Sequence, residues 1–136
     1  MKANKIKVGH AYYVDFEPTR KSEFGGKHLA IVVKKNHDAI SFVVVPTTSK
    51  ENGLGINKIS LGKLDCLPSN IKDDTSYAVI DQIRTVDASR FYELKEGNQP
   101  LEAEIPTAIM NQIYKAIIKD LLHDVPDKEI KNILLG

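Results

Sequence analysis

Two hydrophobic periods divide this chain, and the switch between them limits what it can fold into. Up to about residue 90 the apolar residues come in short, β-branched runs. From Ile105 they recur every four residues, at Ile105, Ile109, Ile113 and Ile117. Met110, Tyr114, Ile118 and Leu121 widen that stripe into a broad apolar helical face. Pro106 suits the first turn of this helix. His123 and the break at Asp124-Val125-Pro126 end it, and residues 127–135 predict a short second helix. Before the switch, residues 11–17 read as a strand stopped by Pro18. Residues 28–35 and 40–46 read as an antiparallel hairpin around the turn composition Asn36-His37-Asp38. A turn at Asn52-Gly53 and Gly55 precedes a strand near 57–61, and residues 62–75 read as irregular. Residues 76–82 predict another strand, continued or restarted at 84–86. Five or six short strands followed by a helix predict a mainly β fold, a small curved sheet or barrel with a packed C-terminal helix.

A length of 136 residues predicts one domain, 1–136, with a helical C-terminal extension from about 105. The single cysteine, Cys66, excludes an internal disulfide and a cysteine-based zinc site, which fits a reducing cytoplasm. The basic N-terminus is not followed by the apolar core of a signal peptide. The apolar runs are far shorter than a membrane span, so no membrane partner is expected. Net charge is only +1, but residues 1–90 carry 14 Lys and Arg against 10 Asp and Glu, and the remainder 5 against 8. A polyanion is therefore expected on the N-terminal part. His10, His37 and His123 lie far apart and show no metal-ligand spacing. Neither a metal nor another cofactor is expected.

Three segments carry the chemistry. Ser22-Glu23-Phe24-Gly25-Gly26-Lys27-His28 is a polar loop that opens onto the apolar run Leu29-Ala30-Ile31-Val32-Val33. Pro46-Thr47-Thr48-Ser49 ends the next strand. Asp81-Gln82-Ile83-Arg84-Thr85-Val86-Asp87 lies further on. With the opening run Gly9 to Asp15, these segments resemble the MazF/PemK family of toxin endoribonucleases over about residues 8 to 95. Gln82 to Asp87 follows the family pattern at every position. One departure matters: where the family usually has its catalytic arginine followed by proline, this chain has His28 followed by Leu29. The resemblance implies an SH3-like small barrel, a homodimer, and cleavage of single-stranded RNA without a metal. It also implies products with a 2′,3′-cyclic phosphate and a 5′-hydroxyl, a cognate antitoxin, and a cytoplasmic location.

Carried over by position, the family's catalytic pair falls on His28 and Thr48. Strand alternation puts His28, Ala30 and Val32 on one face and Leu29, Ile31 and Val33 on the other. By itself His28 also reads as a strand-edge histidine with a satisfied ring. Histidine exchanges protons near neutral pH but lacks the guanidinium fork for phosphate. Arg20, Lys21 and Lys27 in the same loop are expected to supply that charge. His28 is expected to act as the general acid, because its protonated form also adds positive charge. Thr48 is assigned the stabilisation of charge on the scissile phosphate, with Ser49 as helper. Without the resemblance, these hydroxyls read as local strand-end hydrogen-bonding groups.

Gln82 is a candidate RNA contact. Its spacing predicts that it shares a strand face with Arg84, itself read as structural and paired with Asp81 or Asp87. Glu23 either contacts a base or braces the loop. Phe24 either stacks on an unpaired base or anchors the loop. Tyr12 and Tyr13 point to opposite faces, one of them into the core. Asp73-Asp74 reads as a solvated pair. Two rivals remain: a non-catalytic module on the same barrel that binds RNA or an antitoxin, and a gyrase-poisoning toxin, since that family shares the fold.

Overall fold

The structure is a computed structural model that describes residues 1–23, 25–53 and 55–135. It is mainly β with a C-terminal helical end. The strands are β1 His10–Asp15, β2 Lys27–Lys35, β3 Ser41–Thr48, β4 Lys58–Lys63, β5 Thr75–Val79 and β6 Arg84–Asp87. Four very short strands follow: β7 Phe91–Tyr92, β8 Leu94–Glu96, β9 Gln99–Leu101 and β10 Ala103–Glu104. The helices are α1 Thr107–Leu121 and α2 Asp127–Leu135.

The main sheet runs in the order β10-β1-β2-β3-β5-β4. The free edges of β1 and β3 are each shared by two partners. β1 pairs with β10 through His10 and Ala11 and with β7 through Tyr13 and Val14. β3 pairs with β6 from Ser41 to Val44 and with β5 at Thr47 and Thr48. A strand whose two halves serve different neighbours must bend, so the sheet curves strongly. Among the described residues no ladder joins β4 to β10, so the expected barrel is not closed.

The curved sheet is buried on both faces, which explains why β2 and β3 read as near-continuous apolar runs. On one face Ile31, Val33, Val45, Leu61, Ala78 and Ile80 pack with Met110, Ile113 and Ile117 of α1. On the other, Tyr12, Val14, Phe16, Ala30, Val32, Phe42, Val44, Val86 and Phe91 form a separate core. The alternation expected along residues 28–33 is the one observed. Tyr12 is buried, and its hydroxyl accepts from the Lys7 amide at 2.9 Å, whereas Tyr13 is half-buried.

The helix expected from residue 105 begins at Thr107, with Pro106 as its cap. Its buried stripe leaves Tyr114, Ile118 and Leu121 exposed. Ile133, Leu134 and Leu135 of α2 are exposed too. The strand expected over 76–82 stops at Val79, and Ile80–Gln82 forms a 3-10 turn before β6. The region 62–75 is more ordered at its start than expected, because β4 reaches Lys63 through an irregularity at Gly62. Among the described residues no helix is long and apolar enough to cross a membrane.

Candidate active site

A cleft of about 290 Å³ opens where β2 begins and β3 ends. Its lining includes Tyr13, Lys27, His28, Thr48, Ser49, Lys50 and Asp74. The two candidate catalytic residues, 20 positions apart in sequence, are thus on one cavity. The β2–β3 register explains this. Ala30 faces Pro46 and Ile31 faces Val45, so the same register carried two residues further sets His28 opposite Thr48. The Thr47 hydroxyl donates to the Leu29 carbonyl at 3.1 Å and continues the contact past the last ladder pair.

His28 is half-buried and packs against the buried Phe16 ring, with centroids 6.4 Å apart. Burial holds its imidazole below the ordinary 6.5, and a backbone hydrogen bond at Gly25 works partly against this. A buried imidazole resists charging because the low-dielectric surroundings disfavour the cation. The neutral imidazole is therefore favoured more than in a solvent-exposed histidine. The neutral form is the one a general base needs, and the protonated form the one a general acid needs.

Thr48 Oγ1 accepts from the Lys50 amide at 3.1 Å. This bond uses a lone pair, leaving the hydroxyl proton for a phosphoryl oxygen. Ser49 and Lys50 are exposed at the mouth. Lys27 is exposed and sits with its ammonium 4.3 Å from the Tyr92 ring centroid.

The remaining candidates belong to the loop 16–26 or contact it, and two of them, Glu23 and Gln82, brace the loop itself. Glu23 Oε1 accepts the Arg20 amide at 2.6 Å, so its carboxylate braces the turn. Gln82 Nε2 donates to the Ser22 carbonyl at 3.0 Å and ties the loop to the 3-10 turn. Gln82 therefore does not share a strand face with Arg84, contrary to the spacing argument, because a 3-10 turn rather than a strand holds it. Arg84 is structural, but its partner is not an aspartate. Nη1 donates to the Phe16 carbonyl at 3.3 Å, and its guanidinium lies 5.6 Å from that ring. Arg90, not singled out from sequence, donates to the Asp15 carbonyl at 3.2 Å and also to Glu17. The two guanidiniums thus hold both the end of β1 and the root of the loop. Arg20 and Lys21 are exposed on this loop and do not line the cleft. The expectation for Phe24 falls outside the described residues.

Sequence reasoning missed Tyr13, Lys50 and Asp74 as cleft residues. Asp74 is exposed, as expected of a solvated carboxylate, and borders the cleft as well. Lys50 directly follows Thr48-Ser49, which is the one local signal that pointed to it. Among the described residues no three His, Cys, Asp or Glu side chains are grouped to hold a metal ion.

Solved structures share this architecture. MazF from Deinococcus radiodurans superposes with a TM-score of 0.58 at 21% identity, over 87% of this chain and 96% of that one. An endoribonuclease from Mycobacterial species superposes with a TM-score of 0.57 at 20% identity, over 89% and 93%. An endoribonuclease in complex with its cognate antitoxin, also from Mycobacterial species, gives 0.58 at 20% identity, over 89% and 97%. At these identities the likeness establishes the fold. No curated protein is similar enough in sequence to count as a match. The family assignment rests on sequence: a model of the PemK-like, MazF-like toxin of type II toxin–antitoxin systems matches residues 7–121, a span that includes both strands of the cleft, the 3-10 turn that ties its loop and all of α1, and the chain belongs to that family.

Proposed function

We propose that this protein is a metal-independent endoribonuclease that cleaves single-stranded RNA, acting in the cytoplasm as the toxin of a toxin–antitoxin pair. The observation that carries this reading is the joint placement of His28 and Thr48 on one cleft, flanked by Lys27 and Lys50. Neutral His28 accepts the proton of a ribose 2′-OH, which attacks the adjacent phosphorus. The Thr48 hydroxyl, helped by Ser49, donates to the phosphoryl oxygens as charge builds there. The lysines add positive charge at the rim, and the departing 5′-oxygen takes its proton from solvent at the open mouth. The products carry a 2′,3′-cyclic phosphate and a 5′-hydroxyl. Arg20 and Lys21 draw the RNA backbone toward the loop that Glu23 and Gln82 brace, and Phe24 stacks on a base.

Two similar solved structures are an endoribonuclease and an endoribonuclease in complex with its cognate antitoxin, which supports an antitoxin partner here. The exposed apolar residues of α1, together with those of α2, support a homodimer.

The test is incubation of purified protein with a long RNA in EDTA, with end mapping of the products. Cleavage with cyclic-phosphate ends is expected, and DNA of the same sequence should stay intact for lack of the 2′-OH. Loss of cleavage in EDTA, restored by Mg²⁺, would refute the mechanism. A second reading, a binding module that does not cut, draws on the histidine where the family has arginine. It would be favoured by RNA binding without any product.

A further inference from the structure

We propose that Lys27 and Tyr92 form a second phosphodiester-binding subsite, beside the one at His28 and Thr48, for a linkage flanking the scissile one. The nature of the ligand rests on the nuclease reading above. The geometry comes from three adjacent strands. β1 lies between β2 and β7, and its Tyr13 faces Leu29 on one side and Tyr92 on the other. Asp15 faces Lys27. Register partners share a sheet face, as do residues two apart along a strand. Tyr13, Lys27 and Tyr92 therefore lie on the same face. Tyr13 and Lys27 already line the cleft, so Tyr92 extends that surface by one more strand.

On this face the Lys27 side chain crosses β1, and its ammonium comes to rest 4.3 Å from the centroid of Tyr92. Two strand spacings, about 10 Å, separate the two backbones, so the lysine stem and the tyrosine ring each cover part of that distance. Tyr92 is 46% exposed, so the contact is open to a ligand. A cation on an aromatic face is restrained in position, but its charge is not neutralised as a carboxylate would neutralise it. Among the described residues Lys27 has no ion-pair partner. The nearest carboxylate by register, Asp15, accepts the Glu17 amide through Oδ1 at 3.0 Å. Tyr92 thus acts as a positioning residue that holds a charged ammonium beside the cleft, where a neighbouring phosphate of a bound strand would meet it.

The experiment measures binding of 2′-O-methyl RNA, which cannot be cleaved, across a range of salt concentrations, with cleavage of unmodified RNA followed separately. Lys27→Met should lower the slope of log affinity against log salt by about 0.7, the loss of one single-strand phosphate contact. Tyr92→Leu should lower it similarly, and Tyr92→Phe, which keeps the ring face, should restore it. A neutral methylphosphonate walked along the RNA should weaken wild-type binding at one flanking linkage, and this penalty should vanish in Lys27→Met. An unchanged slope in Lys27→Met, or equal slopes in Tyr92→Leu and Tyr92→Phe, would overturn the subsite while leaving the nuclease reading intact. Binding with these slopes but no cleavage of unmodified RNA would support the subsite and refute the nuclease. Failure to bind RNA at all would overturn both.

Discussion

The hydroxyl of Thr47 donates to the main-chain carbonyl of Leu29 at 3.1 Å, just where the β2–β3 ladder has made its last pair at Ala30 and Pro46. Thr47 is 3% exposed, so its hydroxyl needs that partner. Its neighbour Thr48 therefore stays close to His28 beyond the end of the regular ladder. Thr47→Val should lower stability by about 1 kcal/mol through loss of this bond. It should also slow cleavage by loosening the pair, even though Thr47 is not expected to touch RNA. Urea denaturation and initial rates on the same preparation check both effects. A destabilised variant with full activity would show that His28 and Thr48 do not depend on this bond.

Thr48→Ala should leave the fold intact and nearly eliminate cleavage. Removal of one donor aimed at developing phosphoryl charge typically costs about 2.7–4 kcal/mol in the barrier, or 10²–10³ in rate. Circular dichroism and a single-turnover assay measure the two quantities. A folded variant with wild-type rates would take Thr48 out of the site.

His28→Ala should cost about 10²-fold or more in rate. The pH profile carries the sign of its role. Burial holds the folded pKa below the ordinary 6.5. A general base is active when neutral, so kcat/KM should be level above pH 6.5 and fall as pH drops through that lowered pKa. The unfolded chain binds the proton more readily over the same window, so this group's share of stability also falls as pH drops from 6.5. A rate that falls instead as pH rises would assign His28 as the acid. A flat profile with an active His28→Ala would show that another group does the proton transfer.

The chain should be a homodimer in solution through the exposed face of α1. Tyr114, Ile118 and Leu121 occupy successive turns of that face, and Leu121 is 69% exposed. Ile118→Asp should dissociate the dimer without unfolding the monomer, because Ile118 lies outside the buried stripe of Met110, Ile113 and Ile117. Light scattering at micromolar concentration reads the mass. A wild-type particle of 15.2 kDa would refute the dimer.

Parts of this molecule were legible from neighbouring residues alone. The run from Leu29 to Val33 and the run into Pro46 had to be strands covered on both sides, because β-branched residues fill both alternating faces. The four-residue isoleucine repeat had to be a helix with one buried stripe. The motif segments, through their resemblance to a family, carried His28 and Thr48 as a pair. Other elements have no local signature. Strands β7 to β10 are two or three residues long, and β7 and β10 exist as strands because β1 offers each a part of its free edge. Gln82 kept the spacing of a strand residue yet lies in a 3-10 turn, because after Ile80 the chain closes on itself, the Ile83 amide donating to the Ile80 carbonyl.

The sequence by itself determined the elements and their buried faces, since each depends on a period of two or about four residues that propensity and burial impose locally. Only the tertiary structure decided what meets in the cleft. The extension of the Ala30–Pro46 register set His28 opposite Thr48. Chain closure brought Asp74 and Lys50 to the same lining, and the pairing of β1 with β7 put Tyr92 beneath the Lys27 ammonium. The depressed pKa of His28 belongs to the same class, because the burial that causes it comes from side chains distant in sequence. Contacts of this kind are fixed by strand register and packing, and register is a property of two strands together, written in neither one alone.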